Sequence, residues 1–439
     1  LKCFYETFVQ GSTAVILFNF CAKNPPHRQA ENRFRNIYNT NSNKVMRIEN
    51  KFILLPLERI GSCLLVLLSF LICPQSSAAQ APDPWVWFCD STKLWGFKDL
   101  EGNIKVPAIF ESSLMSTPDT FYNIIAVSEK RKQYYLLKNG KKVGMDSVYT
   151  FDWDYDCEQE GKIRFQDHKL NRVGFLDKNG IPIIPAIYCY AHPFRNGLSI
   201  VLSGASLKCT DEREDVDTTD CDHYGWVGGV KQVINEKNEI LIDSLDLHYS
   251  NLDWYSLRMN MPNLDTNLYF TVTGRHGITY SFVDFNKEFK QWFYNVFIPS
   301  LRDDGNVRDY LFEKVTTWIE GKGWVNPDKN DFLDQFPFAL TTQRFQTNAQ
   351  KKISIGQTYF GHFNLDPPTF KKYYNACGYQ DDRFPVYIAI VNYNKLRQPP
   401  PTTDNEGNVE PLYVIDYQES FEFLRTENGY RLISASFRK

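Results

Sequence analysis

The sequence predicts a mixed fold: an all-β array of short hairpin repeats followed by a C-terminal α+β domain. Three observations carry this. A 16-residue segment recurs 78 residues downstream, each copy is two short apolar runs around a Gly turn, and beyond about residue 260 the apolar spacing becomes helical and then strand-like. The chain has 439 residues, enough for two or three domains, and its 43% apolar and 15% aromatic content supplies packed cores.

The first 79 residues stand apart. From Met46, a short charged start with Arg47 and Lys51 leads into the apolar run Ile60–Cys73, then Pro74 and the small residues Ser76–Ala79. That order is the one of a secretory signal peptide over 46–79, with Ser77 and Ala79 at the cleavage positions and Gln80 as the mature start. The run of 14 residues is short for a membrane span of about 20, so no stable span is expected after cleavage; an uncleaved anchor helix is the competing reading. Residues 1–45 open with Leu and precede the signal, and are read as upstream or unstructured extension. The expected location is exported: periplasmic, cell-surface or secreted.

Charge follows the same division. Residues 1–79 carry 9 Lys/Arg and 4 Asp/Glu, and the remainder 40 and 48, a net of −8 against −3 for the whole chain. An acidic body without a basic stripe argues against a nucleic-acid partner. Six of the ten cysteines follow residue 79: Cys89, Cys157, Cys189, Cys209, Cys221 and Cys377. An even number suits disulfides in an exported chain, and Cys209 with Cys221, bracketing a polar loop, is the expected pair; buried free thiols are the alternative. No CxxC pair exists to suggest zinc.

Residues 80–250 hold the repeats. Trp95–Phe110 and Val173–Tyr188 share Gly, Phe, Asp, Gly, Pro, Ala and Ile at 7 of 16 aligned positions. A spacing of twice 39 places a weaker copy halfway, at Tyr134–Val143 with its Asn139-Gly140 turn, and a fourth, degraded copy is expected near Tyr224-Gly225-Trp226. In each unit Asp99 or Asp177 opens a turn by capping backbone N–H groups, and Gly102 or Gly180 takes the positive-φ position. Pro107 and Pro185 are expected to end the second strand, because Pro cannot donate to a ladder. His192–Val201 adds a turn and one more strand.

These segments resemble WG repeats, a pattern of Trp-Gly, an aromatic, Asp, a Gly turn, apolar-Pro, a further aromatic and a Pro-Phe-x-x-Gly-Leu corner. The likeness rests on Trp95, Gly96, Phe97, Asp99, Gly102 and Pro107 in the first copy and on Gly174, Phe175, Asp177, Gly180 and Pro185 in the other. It spans roughly residues 85–245. It implies an all-β repeat array of the kind found in bacterial surface and exported proteins, serving as binding or interaction modules without shared catalytic residues. One unit is too small to bury its own apolar face, so the copies must stack. Trp95, Phe97, Phe175 and Phe194 are therefore read as packing.

Residues 260–439 form the second region. Ser281–Asp284 reads as a capping box for a helix presenting Phe282, Phe285, Phe289, Trp292 and Val296, stopped by Pro299. Asn306 is expected to cap a second helix with Val307, Leu311, Val315 and Trp318 on one face and Gly321 at its end. Strands follow at Phe384–Val391, Leu412–Leu424 and Tyr430–Phe437, the last two joined by an Asn428-Gly429 turn, with Gln398–Gly407 as a loop. The closing hairpin resembles that of NTF2-like domains, which implies a cone-shaped α+β fold.

No HExxH, GxSxG, P-loop or GxGxxG motif occurs, and the six histidines after residue 79 are scattered. The acidic run Asp211–Asp222 reads as a solvated loop, with calcium as the sharper alternative. Asp152–Asp156 and Asp253–Tyr255 combine carboxylates with aromatics, as sugar-cleaving and sugar-binding sites both do. The expectation is a non-enzymatic module for a protein or glycan partner, with no cofactor, catalytic or metal residue assigned. The alternative is small-molecule binding or catalysis in a C-terminal pocket.

Overall fold

The structure is a computed structural model and describes residues 83–111, 120–151, 154–209, 224–245, 251–302, 307–360, 367–396 and 413–438. Residues 1–45, the segment 46–79 expected as a signal, Asp152, Trp153, the acidic run with Cys221, Asn306 and the expected Gln398–Gly407 loop lie outside these residues. Among the described residues no helix is long and apolar enough to cross a membrane.

Asp99, Leu137, Asp177 and Asn235 each begin the same turn, because each unit brings two strands together over three intervening residues. The first residue's N–H donates to the carbonyl four positions on, and the N–H of the fourth residue donates back, all at 2.9–3.1 Å. The fourth residue is Gly102, Gly140, Gly180 or Asn238, each with φ between 62° and 93°. Asp99, Asp177 and Asn235 add a side-chain oxygen that accepts from the N–H four positions on, at 2.7, 2.8 and 3.0 Å. In the second unit Leu137 cannot, and Asn139 Oδ1 caps Lys141 N at 2.9 Å instead.

Around these turns stand four antiparallel units of three main strands, the first and fourth carrying a short extra strand, Thr120–Phe121 and Tyr190–Ala191. They are Trp85–Cys89, Leu94–Lys98 and Ile104–Glu111; Ile124–Glu129, Lys132–Leu137 and Lys142–Val143; Lys162–Asp167, Arg172–Asp177 and Pro182–Tyr188; and Leu198–Ser203, Val230–Asn235 and Ile240–Ile242. The fourth unit thus centres on the Asn235 turn. Tyr224–Val227, where the degraded copy was expected, instead pairs with Ser206–Cys209 in a ribbon inserted between the unit's first two strands.

Pro107 and Pro185 do not end their strands. Each lies in a bulge: Trp95 pairs with Phe110 and Phe97 with Val106, and Val173 pairs with Tyr188 and Phe175 with Ile184, so one glycine faces several residues of the return strand. A bulge frees the proline nitrogen from the ladder, which is how a strand keeps a proline. The bulge also explains the motif glycine. A Cβ on Gly96 would sit 2.6 Å from Val106 O, and one on Gly174 2.5 Å from Ile184 O, so only glycine admits this approach.

The units bury their apolar faces against one another. Phe97 and Phe110 of the first share a cluster with Ile125, Val127, Tyr134 and Leu136 of the second. Ile124, Ala126, Tyr135 and Leu137 then meet Ile163 and Leu176 of the third. Val173, Phe175 and Ile184 meet Val201 and Ile234 of the fourth. Leu198, Ile200, Val233 and Ile242 are in turn covered by Leu252, Trp254, Tyr280 and Phe282 of a further sheet, Leu252–Met259, Thr279–Asp284 and Tyr269–Thr273. Each fully buried Phe contributes about 2–3 kcal/mol of transfer free energy that a lone unit would forgo.

Thr279–Asp284 feeds the only long helical segment among the described residues. The strand ends at Asp284, whose carboxylate accepts from Asn286 N and Lys287 N and so caps the helix itself. Ser281 and Phe282 belong to the strand, so the expected capping box lies three residues too early. The helix runs Phe285–Trp292, widens to a π-turn over Phe293–Phe297 and continues through Ile298–Ser300. Pro299 therefore does not stop it; its ring crowds the carbonyl four residues back, and the widened turn precedes it. The second expected helix is absent: Val307–Tyr310 is one 3-10 turn, and Leu311–Ile319 is a strand turned by Gly321 into Gly323–Val325. The apolar residues of Leu311–Ile319 fit a helical spacing, but the β-branched run Val315, Thr316, Thr317 suits a strand, and pairing with Gly429–Ser436 decided for it.

The six-stranded sheet has the order Gly323–Val325, Leu311–Ile319, Gly429–Ser436, Tyr413–Thr426, Val386–Leu396, Lys351–Thr358. The helix lies on one face of it. Phe289 stacks on Tyr387 at 4.6 Å, Phe297 meets Phe423 at 4.8 Å, and Phe345 meets Phe421 at 4.9 Å. That face is filled by its own aromatics.

Candidate functional site

The repeat-motif residues singled out in the sequence lie in turns, bulges and packed clusters. Phe97 and Phe175 are 1% exposed, and Phe175 meets Phe194 edge-on at 4.7 Å. Trp95 is half-buried with its ring 4.2 Å from that of Trp87. Asp99 is buried in its turn, where the Asn103 amide and then Lys105, 3.0 Å away, hold its carboxyl well below the usual carboxylate range. Asp177 and Gly180 form the matching turn, and Pro107 and Pro185 are exposed on the bulges.

The carboxylate–aromatic segments are likewise engaged. Asp156 receives Arg164 Nε at 3.0 Å and Nη2 at 2.5 Å, while Arg164 Nη1 donates to Ala191 O at 2.9 Å. Asp253 faces Arg425 Nη2 at 3.1 Å, and burial raises its carboxyl pKa against that arginine's pull. Arg425 also holds Glu288, which accepts from the Tyr430 hydroxyl at 2.9 Å. Trp254 is core, its ring 5.0 Å from Phe282. These carboxylates are drawn into separate arginine pairs.

What the sequence did not reveal is a cleft of about 800 Å³ where the repeats meet an excursion of the C-terminal sheet. The floor is the Glu158–Gly161 turn, one wall is Thr120–Asn123, and the other is the excursion Thr369–Arg383 that precedes strand Val386–Leu396. The excursion is anchored by Phe370 and Tyr373, packed with Phe312, Val386, Leu424 and Ile433. It is tied to the repeats by the Cys157–Cys377 disulfide, by Thr120 N donating to Ala376 O at 3.2 Å, and by Arg195–Asp382 and Tyr379–Asp154 contacts.

This cystine joins residues 220 apart. Even cysteine number suggested disulfides, but nothing in the spacing marked this pair. Cys89 and Cys189 are free thiols; Cys209 is disulfide-bonded, and its expected partner Cys221 lies outside the described residues.

The carboxylates of the cleft are occupied. Glu158 accepts from Asn123 N at 2.7 Å, Asn123 Nδ2 at 2.6 Å and Ile124 N at 3.1 Å. Glu160 accepts from Asn196 N at 2.5 Å, Gly197 N at 2.9 Å and the Tyr255 hydroxyl at 2.8 Å. Burial, and then Glu160, raise the pKa of that phenol. Asp381 is bound by Arg383 Nη2 at 2.6 Å and Nε at 3.0 Å. Such an arrangement holds shape and offers polar contacts; it offers no unengaged carboxylate to move a proton.

A family model, the WG containing repeat, matches residues 174–204, the third unit's middle strand onward into the fourth unit. No curated protein matches the chain. Among solved structures, an NTF2-like family protein from Streptomyces avermitilis is 10% identical, with 34% of this chain and 93% of that one covered and a TM-score of 0.18. A likeness at that level transfers neither fold nor function.

Proposed function

We propose that this chain is an exported, non-enzymatic binding protein that takes a protein or glycan partner into the cleft between the Glu158–Gly161 turn and the Thr369–Arg383 excursion. The observation that carries the reading is the engagement of Glu158, Glu160 and Asp381 in internal hydrogen bonds inside a rigidly tied cleft. A fixed surface of that size suits recognition. The Cys157–Cys377 cystine supports an oxidising, exported setting. We also read residues 260–439 as an α+β domain of NTF2-like character, on the helix laid across a six-stranded sheet. The filled inner face speaks against a ligand pocket there.

The test is capture of partners from envelope and culture fractions, each then titrated directly by calorimetry. Lys371→Trp, an exposed cleft residue, serves as a blocked variant. The reading expects at least tenfold weaker binding by the blocked protein at an unchanged melting temperature. A partner that binds both proteins equally sinks it.

A further inference from the structure

We propose that the strand Lys351–Thr358 pairs with the same strand of a second copy of this chain, antiparallel and centred on Ser354, giving a two-fold dimer through one edge of the six-stranded sheet. The proposal is independent of the cleft and its ligand.

The edge is long, regular and open. Lys351–Thr358 is the last strand of its sheet and pairs with Val386–Leu396 in unbroken register, from Lys351 opposite Tyr393 to Thr358 opposite Val386. Antiparallel neighbours alternate between pairs that exchange hydrogen bonds and pairs that do not. Asn394 N donates to Gln350 O at 2.7 Å, so the even-numbered residues bond inward, while Lys351, Ile353, Ile355 and Gln357 point their N–H and C=O groups outward. Those of Lys351 close a turn with Asn348; those of Ile353, Ile355 and Gln357 meet no backbone group among the described residues. Sheet edges are commonly blunted by prolines, bulges or short length. Pro107 and Pro185 sit in bulges on the return strands of the repeats, and the opposite edge of this sheet, Gly323–Val325, has three residues. Lys351–Thr358 carries neither proline nor bulge.

The sequence along this edge fits itself. A two-fold axis at Ser354 sets Ile353 of each copy opposite Ile355 of the other. These residues have the outward backbone groups, so each such pair exchanges N–H···O=C bonds across the axis. Both isoleucines pack against the aromatic core on the helix side, and the cross-strand pairs extend that core over the junction. Ser354, exposed on the other face, meets Ser354 of the second copy as a close pair without ladder hydrogen bonds. Lys351 and Lys352 face Gln357 and Gly356 of the second copy rather than like charge. Other centres fit worse. An axis at Ile353 sets Ile355 against Lys351, one at Ile355 sets Ile353 against Gln357, and one between residues sets opposite faces together.

The experiment is sedimentation equilibrium of the full chain from about 1 to about 300 µM, since one strand edge lies at the small end of stable interfaces and associates in that range. Wild type is expected to dimerise. Ser354→Lys and Ser354→Asp each put like charges face to face at the axis and should weaken association tenfold or more. An equal mixture of the two variants should associate at least as tightly as wild type. Ser354 is exposed, so the melting temperature at the lowest concentration should not change. A wild type that is monomeric throughout overturns the proposal, as does a dimer indifferent to both substitutions or a mixture no tighter than either variant alone. A monomeric wild type that captures hexapeptides from a library, and loses them in Ser354→Lys, also overturns it and gives the edge to a peptide strand instead.

Discussion

Removing the Cys157–Cys377 cystine should cost more stability than any single side chain in the repeats. The double replacement Cys157→Ala with Cys377→Ala opens a loop closed across 220 residues. The chain-entropy relation gives about 5 kcal/mol at 25 °C for a loop of that length, and disulfides of this kind deliver about 2–4 kcal/mol where the unfolded chain retains structure. A loss of about 3–5 kcal/mol is therefore expected. Cys189→Ala provides the packing control: it removes one buried sulfur, which lies 3.4 Å from Ala205 O, without opening a loop. The assay is guanidinium unfolding followed by tryptophan fluorescence on oxidised wild type, reduced wild type and both variants. The denaturant slope should rise in the double variant, because its unfolded state exposes more surface. If the double variant, corrected by the control, lies within about 1 kcal/mol of the oxidised protein, the cystine does not constrain the unfolded chain and the reasoning fails. The same variant should bind a cleft ligand more weakly, since one wall would be held only by polar contacts.

Gly96→Ala should destabilise by about 2–4 kcal/mol, because its Cβ meets the bulge backbone at 2.6–2.8 Å, while Gly102→Ala, with open space but φ of +93°, should cost about 1–2 kcal/mol. Equal losses in thermal melts would remove the close-approach account of the motif. Asp99 has a folded pKa below its unfolded value of about 3.9, so the unfolded chain binds more protons near that pH, and this contribution is present above it and lost as pH falls. Asp99→Asn keeps a side-chain oxygen for the turn, as Asn235 does, and should flatten the fall in urea midpoint between pH 5 and pH 3; an unchanged slope would falsify the assignment.

The repeats were legible because their turns are local chemistry. Asp99, Gly102, Asp177 and Gly180 sit where the sequence put them, since three residues and one positive φ define the loop without help from the rest of the chain. The fourth unit was misplaced because Tyr224-Gly225-Trp226 imitates the motif's residues, while the true turn carries Asn at both special positions. The π-widened helix through Pro299 and the strand Leu311–Ile319 were misread for a different reason. There tertiary pairing chose between periods that the residues alone left balanced. The cleft had no local signal. Its walls are separated by more than 200 residues in sequence and brought together by a cystine and a few polar ties.

That separation bears on how the cleft works. The repeat side contributes a turn whose carboxylates are consumed in holding neighbouring units: Glu158 secures the start of strand Ile124–Glu129, and Glu160 secures the Asn196-Gly197 corner and Tyr255. Changing them would loosen the stack before it altered recognition. Lining side chains that hold no repeat unit, by contrast, come from the excursion, among them Lys371, Tyr374 and Asn375. The excursion is fixed from behind by Phe370 and Tyr373 and from the side by Cys377, so its cleft-facing side chains can vary without moving its backbone. Specificity should therefore reside in the Thr369–Arg383 segment and rigidity in the repeats. Replacing Lys371 or Asn375 should change which ligand binds at nearly constant stability. Replacing Glu158 by Gln, which puts an amide where three N–H groups need an acceptor, should cost stability first.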